Sequence, residues 1–183
     1  MTVYGIRGLK RREEARELLA LAAGEEWGLS ALPETARLPG GKPCFPEHPR
    51  LQFNLSHSGA LALCALDSRP VGVDIQVIKP WRDRLFRRVC TPEELAWLAA
   101  QRDPALAFAQ LWSLRESRVK QSGQGLRTTI RDIPIPLPDA CPCTLDGLHF
   151  ALWSGEGWAA AACGHSPPPE EILWRTPGGQ HSV

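Results

Sequence analysis

Trp112, Glu116 and Lys120 stand at i, i+4 and i+8, so an aromatic ring, a carboxylate and an ammonium share one stripe of a helix. On an ordinary exposed helix a Glu–Lys pair of this kind is a surface contact worth a few tenths of a kcal/mol. Here Trp112 directs the stripe inward, and charges on an inward face need a ligand or a partner. Asp74 makes the same demand. It interrupts the apolar run Val71-Gly72-Val73-Asp74-Ile75, where an ionised carboxylate is costly unless it is paired or shares a cation; a structural acid is the alternative. Were Asp74 and Glu116 to converge, two hard oxygen donors would suit Mg2+, which keeps waters and phosphate oxygens as its other ligands.

Two further segments could meet an anion. Ser56-His57-Ser58-Gly59 closes a strand, and adjacent strand residues point to opposite faces, which argues against Ser56 and His57 as a nucleophile-base dyad. No G-x-S-x-G elbow surrounds either serine. Gly40-Gly41-Lys42-Pro43 places one of four lysines in a glycine loop without P-loop spacing. Six cysteines show no C-x-x-C pair and read mostly as buried free thiols. Cys141 and Cys143, with His149 nearby, fall short of zinc spacing.

The elements that must position these residues follow from periodicity. Arg7 to Ala23 has roughly helical apolar spacing. Gly28 to Pro49 is broken by glycine and proline. Leu51 to Leu55 and Ala60 to Leu66 read as two strands around Ser58-Gly59, and Val71 to Ile75 as a third strand of the same sheet. Arg82 to Val89 is a short basic helix. Thr91-Pro92-Glu93-Glu94 opens another, with a threonine cap, proline in the first position and acids in the first turn. A long helix runs from Pro104 to Ser122 and stops at Gly123. Leu148 to Leu152 and Gly157 to Cys163 form a second hairpin, and Pro167 to Val183 reads as a mobile tail. The hairpin motif Leu-x-Phe-x-Leu followed by Ser-Gly occurs at Leu51 and again at Leu148, a faint sign of two related halves.

With 183 residues, 43% hydrophobic and 22% charged, the chain is an ordinary globular protein rather than a disordered or fibrous one. A formal charge of +1 offers no global field for nucleic acid or an anionic membrane, and no aromatic stacking motif accompanies the basic stretches. The longest apolar run, Leu18 to Ala23, is too short to span a bilayer, and no secretory layout opens the chain; a cytoplasmic protein is expected.

Gly41-Lys42-Pro43-x-Phe45, Phe53-Asn54-Leu55-Ser56-His57-Ser58-Gly59, Gly72-Val73-Asp74-Ile75, Trp112-Ser-Leu-Arg-Glu116-Ser-Arg-Val-Lys120 and Gly123-x-Gly125-Leu126 follow one another in that order. The pattern resembles the 4'-phosphopantetheinyl transferases of the surfactin-synthetase-activating type. The resemblance implies an α+β fold of two pseudo-symmetric halves, each a small antiparallel sheet with packed helices, with coenzyme A in the cleft between them. The expected division is 1–78, 79–166 and a tail at 167–183. The implied reaction carries the phosphopantetheine arm of coenzyme A to a serine of an apo acyl, peptidyl or aryl carrier protein, with Mg2+ or alternatively Mn2+ on the pyrophosphate. By the same resemblance Asp74 and Glu116 are metal carboxylates, and Glu116 is also the base for the carrier serine. Lys120 serves the phosphates as well as catalysis. Ser56, His57, Lys42 and Arg12 resemble residues that hold coenzyme A.

Gln76 stands where the family usually has a second acid, and can offer a metal only a neutral oxygen or hold a metal-bound water. Arg115 replaces the usual lysine before Glu116, and the connection from Val3-Tyr4-Gly5-Ile6 to the helix bearing Arg12 is short. Carriers present an acidic helix, so Arg82, Arg84, Arg87 and Arg88 with Leu85 and Phe86 are the expected docking face; a solvated basic helix is the alternative. The leading expectation is a monomeric transferase. Its rival is a coenzyme A and carrier binding protein in which Gln76 and the short N-terminus have weakened or abolished transfer.

Overall fold

Alternation along the strands decides which residues meet. The computed structural model describes residues 1–11, 13–80, 83–125 and 129–176, with the side chains of 83–85 excepted. Arg12, Arg82, Leu126 and the last seven residues of the expected tail therefore lie outside the described residues, as does the side chain of Arg84. Strand β1 (Thr2–Arg7) pairs antiparallel with β5 (Leu61–Asp67), and β5 with β4 (Gln52–Ser58). Tyr4, Ile6, Phe53, Cys64 and Leu66 share one face, which helix α1 (Glu14–Trp27) covers with Leu18, Leu19 and Ala22. Burying each of these large side chains contributes about 2 kcal/mol. The helix starts later than its periodicity suggests: Arg7 is committed to pairing with β5, and Gly8 follows in the left-handed conformation, φ 82°.

The second sheet has the order β6 (Val71–Val77), β9 (Trp158–Gly164), β8 (Leu148–Gly155), β7 (Cys143–Leu145). Val71, Val73 and Ile75, with Ala160 and Ala162, face the first sheet and pack on its Val3, Leu63 and Ala65. The other face lies under α4 (Pro104–Ser122), where Leu114 meets Phe150, Ala161 and Cys163. Each half thus repeats one plan: a strand, a helix, then a hairpin whose second strand pairs with the first strand of the half. The expected α+β architecture of two related halves is present.

Two expectations are corrected. The strand at Val71 was expected in one sheet with the first hairpin and in the half 1–78, whereas β6 pairs along its whole length with β9. The segment from Pro167 was expected as a mobile tail, whereas β10 (Leu173–Arg175) runs parallel to β1 and extends the first sheet. Trp174 anchors it: its ring lies so close to Gly5 that a Cβ there would sit 2.7 Å away, and Arg7 stacks over the same ring at 4.4 Å.

A two-stranded ribbon, β2 (Ala36–Arg37) with β3 (Pro43–Cys44), carries the glycine loop in the stretch read as irregular. Helices α2 (Asp83–Val89) and α3 (Pro92–Ala99) precede α4. The threonine cap is realised as a reciprocal box: Thr91 Oγ1 accepts the Glu94 N–H at 3.2 Å, and Glu94 Oε2 accepts the Thr91 N–H at 2.8 Å. All six thiols are free, with Cys64, Cys90 and Cys163 buried and the other three half-buried. Among the described residues no helix is long and apolar enough to cross a membrane.

Candidate active site

On β6, Gly72, Asp74 and Gln76 face α4, opposite in parity to the core valines. Gly72 lets the helix come close, since a Cβ there would fall 1.9 Å from the Ser117 carbonyl oxygen and 2.4 Å from the Gln121 nitrogen. Asp74, two residues on, is 1% exposed. Its burial is compensated on both oxygens. Oδ1 accepts from Ser56 Oγ at 2.9 Å and from Lys120 Nζ at 2.6 Å, and Oδ2 accepts from Gln76 Nε2 at 2.9 Å.

Ser56 reaches Asp74 because β6 is an edge strand whose outward N–H groups need acceptors. Asn54 Oδ1 accepts from Val73 N at 2.8 Å, Ser56 Oγ from Ile75 N at 3.2 Å, and Ser58 Oγ from Val77 N at 2.9 Å. Three alternate side chains of β4 thereby replace a strand neighbour and join the halves. Nothing local marks Asn54 and Ser58 for this joining role; the available signal is a polar residue at every second position, Asn54, Ser56 and Ser58. Ser56 also accepts from Lys120 Nζ at 3.0 Å, which uses its one donor and both lone pairs.

Glu116 stands one turn before Lys120 on α4 and is half-buried. Loss of solvent, then the negative charge of Asp74, raise its pKa above the ordinary carboxylate range, while Lys120 pulls it back. Asp74, Glu116 and Lys120 are therefore brought together, as their misfit with apolar surroundings suggested. Among the described residues no three His, Cys, Asp or Glu side chains stand together as a metal cage. The amide of Gln76 turns its nitrogen toward Asp74.

The other expected ligands are dispersed. Lys42 is 8% exposed, and its Nζ donates to the carbonyls of Val71 at 2.7 Å and Gln121 at 3.3 Å, tying the glycine loop to β6 and to the end of α4. Burial pushes its pKa down to about 8. The side chain is a brace inside the protein rather than an ammonium held out to a phosphate. Gly40 of the same loop lies on Gly123-Gln124-Gly125, where a Cβ would fall 2.1 Å from the Gly123 carbonyl oxygen. Gly123 itself closes α4 in the left-handed conformation, φ 66°. His57 is exposed and follows the parity of Phe53 and Leu55, away from Ser56. Arg87 and Arg88 are exposed on the last turn of α2.

An open cleft of about 380 Å3 is lined by Gln76, Val77, Lys79, Phe86, Phe108 and Trp112 among others. Its wall is aromatic: the Phe86 and Phe108 centroids are 3.9 Å apart, those of Phe108 and Trp112 6.0 Å.

Residues 70–163 match the family model of the 4'-phosphopantetheinyl transferase superfamily. This chain belongs to the 4'-phosphopantetheinyl transferase superfamily. The matched segment runs from β6 to β9 and contains Asp74, Glu116 and Lys120. Among relatives in the superfamily, the 4'-phosphopantetheinyl transferase Sfp of Bacillus subtilis (strain 168) is 35% identical over 146 residues, covering 72% of this chain and 63% of that protein. The 4'-phosphopantetheinyl transferase AcpT of Salmonella typhimurium is 40% identical over 133 residues, 68% of each chain. A second Bacillus subtilis 4'-phosphopantetheinyl transferase is 39% identical over 101 residues, 54% of this chain and 45% of its own length. The chain thus spans less than two thirds of the Bacillus relatives.

Proposed function

We propose that the chain transfers the 4'-phosphopantetheine arm of coenzyme A to a serine of an apo acyl, peptidyl or aryl carrier protein and releases adenosine 3',5'-bisphosphate. The observation that carries this reading is the meeting of Asp74, Glu116 and Lys120 beside an aromatic cleft, inside the segment that matches the superfamily.

The donor set fits a divalent cation, because Glu116 is crowded by the charge of Asp74 in a site partly withdrawn from water. Asp74 and Glu116 would hold Mg2+ or Mn2+, with Gln76 contributing a neutral oxygen or holding a metal-bound water. When bound, the cation neutralises charge on the pyrophosphate. In the reaction the serine oxygen bonds to the β-phosphorus and the bond from that phosphorus to the bridging oxygen breaks. The serine proton passes to Glu116, which stands beside Asp74 in a site partly withdrawn from water. Lys120, held between Asp74 and Ser56, lends positive charge to the departing phosphate. His57 and Arg12 are assigned to the coenzyme A phosphates. Ser56 joins them by exchanging one of its internal bonds, and Lys42 acts through the loop it braces.

Arg87 and Arg88 stand beside Phe86 of the cleft, which supports α2 as the carrier docking face, completed in sequence by Arg82 and Arg84. Both carboxylates and both sheets come from one chain, which supports a monomer. The test is incubation with apo carriers, coenzyme A and Mg2+ or Mn2+, following carrier mass. A phosphopantetheine-sized gain, lost in Glu116→Gln, is expected. No gain with several carriers, although coenzyme A binds, would overturn transfer in favour of a coenzyme A binding protein.

A further inference from the structure

Arg115, the neighbour of Glu116, is the largest charged side chain in the core, at 1% exposure. Its guanidinium donates from Nη2 to Glu94 Oε1 and from Nη1 to the Val89 carbonyl at 3.1 Å. Glu94 is 6% exposed and is already committed through Oε2 to the cap of α3. Arg115 therefore binds the end of α2 and the start of α3 at once. Its Nε, also buried, has no oxygen or nitrogen acceptor among the described residues.

A buried ion pair seldom improves stability over apolar residues of similar volume, so stability alone does not account for this one. Geometry does. Successive helical residues project about 100° apart, so the direction of Arg115 fixes that of Glu116. On one side α4 is pressed against Gly72 and Asp74, a contact that sets its distance from β6. On the other side the forked guanidinium has two anchors on two helices, a contact that sets the rotation of α4.

We infer that Arg115, with Glu94, is a positioning residue that holds Glu116 toward Asp74 and links it to α2, which supplies Phe86 to the cleft. The inference rests on the metal and base role proposed for Glu116. Removing Arg115 alone leaves Glu94 buried and unpaired, so the informative variant is the double Glu94→Gln/Arg115→Met, which keeps the interior neutral. The measurements are Mn2+ affinity by electron paramagnetic resonance, and kcat and KM for transfer, at a temperature where circular dichroism shows the variant folded. Mn2+ affinity and kcat should each fall about tenfold or more, with KM for coenzyme A within about twofold. Arg115→Lys, which keeps a cation opposite Glu94 but loses the fork, should restore both only in part. Native Mn2+ affinity and kcat in the folded double variant would overturn the inference. If the unmodified protein binds Mn2+ but loads no carrier, the transferase reading falls and the Mn2+ titrations alone still decide the role of Arg115. If it binds no Mn2+, both fall.

Discussion

Lys120 and Asp74 meet between α4 and β6, ammonium to carboxylate at 2.6 Å, with Ser56 bonded to both. The pair joins three elements from both halves and stands where a cation would compete with Lys120 for the same oxygen. Asp74→Asn removes the charge that both need while keeping an acceptor for Ser56. Transfer should fall by about a hundredfold or more, while the unfolding midpoint stays close to that of the unmodified protein. Carrier-loading kinetics and thermal unfolding on one preparation check this; loss of both together would make Asp74 structural.

Glu116 gives a pH dependence of known sign. Its pKa is raised in the fold by burial and by Asp74. As the proposed ligand it must be deprotonated to bind the cation, so the acidic limb of Mn2+ affinity, which reports the metal-free protein, should lie above the ordinary glutamate range. Lys120→Met removes the charge that lowers this pKa, and should move the limb further up. For stability the sign is opposite to that of a salt-bridged acid: in the window between the ordinary and raised values the folded state binds more protons, so this residue's contribution declines as pH rises. A limb that stays in place in Lys120→Met would remove the coupling.

Lys42 predicts a second pH effect, remote from the chemistry. Its ammonium is buried against the Val71 and Gln121 carbonyls with a pKa pushed down from 10.5 to about 8. Between these values the unfolded chain holds the proton and the folded chain has lost it, so stability should rise with pH by at most about 3 kcal/mol. Lys42→Met should flatten that rise, read from denaturant unfolding at several pH values. An unchanged slope would show that the lysine titrates normally.

What was legible in the sequence is what local chemistry decides. Alternation at Leu51 to Leu66 and at Leu148 to Cys163 marked both hairpins, and Thr91 to Glu94 and Gly123 marked helix ends, because each signal needs only near neighbours. Asp74 and Glu116 were visible as charges in apolar runs. Long-range partnerships were not. Nothing in Val71 to Val77 says that its free edge is satisfied by Asn54, Ser56 and Ser58. Leu173-Trp174-Arg175 is too short to show a period, and Lys42 resembles a phosphate ligand until the two carbonyls it bonds are known.

Arg87 and Arg88 test the docking surface. Both are exposed and follow Phe86 of the cleft in sequence, on a different helix from Glu116. Arg87→Glu/Arg88→Glu should raise KM for the carrier about tenfold and weaken its salt dependence, leaving coenzyme A affinity unchanged. Carrier kinetics equal to those of the unmodified protein would assign the arginines to the solvated surface.

Gln76 sets the last prediction. Its Nε2 donates to Asp74 Oδ2 at 2.9 Å, so a metal approaching that oxygen meets an amide donor rather than a third anion. The site then offers two carboxylates, with the Lys120 ammonium on one of them, and binding should be weak. Gln76→Glu adds a hard anionic oxygen on the face of β6 that carries Asp74, and should tighten Mn2+ binding about tenfold or more. The same charge raises the Glu116 pKa in the metal-free protein, so the gain should be larger at pH 8 than at pH 6, where protons compete with the cation. Calorimetric titration of Mn2+ at both pH values reads this without any turnover. Equal affinity in the two proteins would mean that Gln76 lies outside the coordination sphere and that Asp74 and Glu116 hold the ion with water alone.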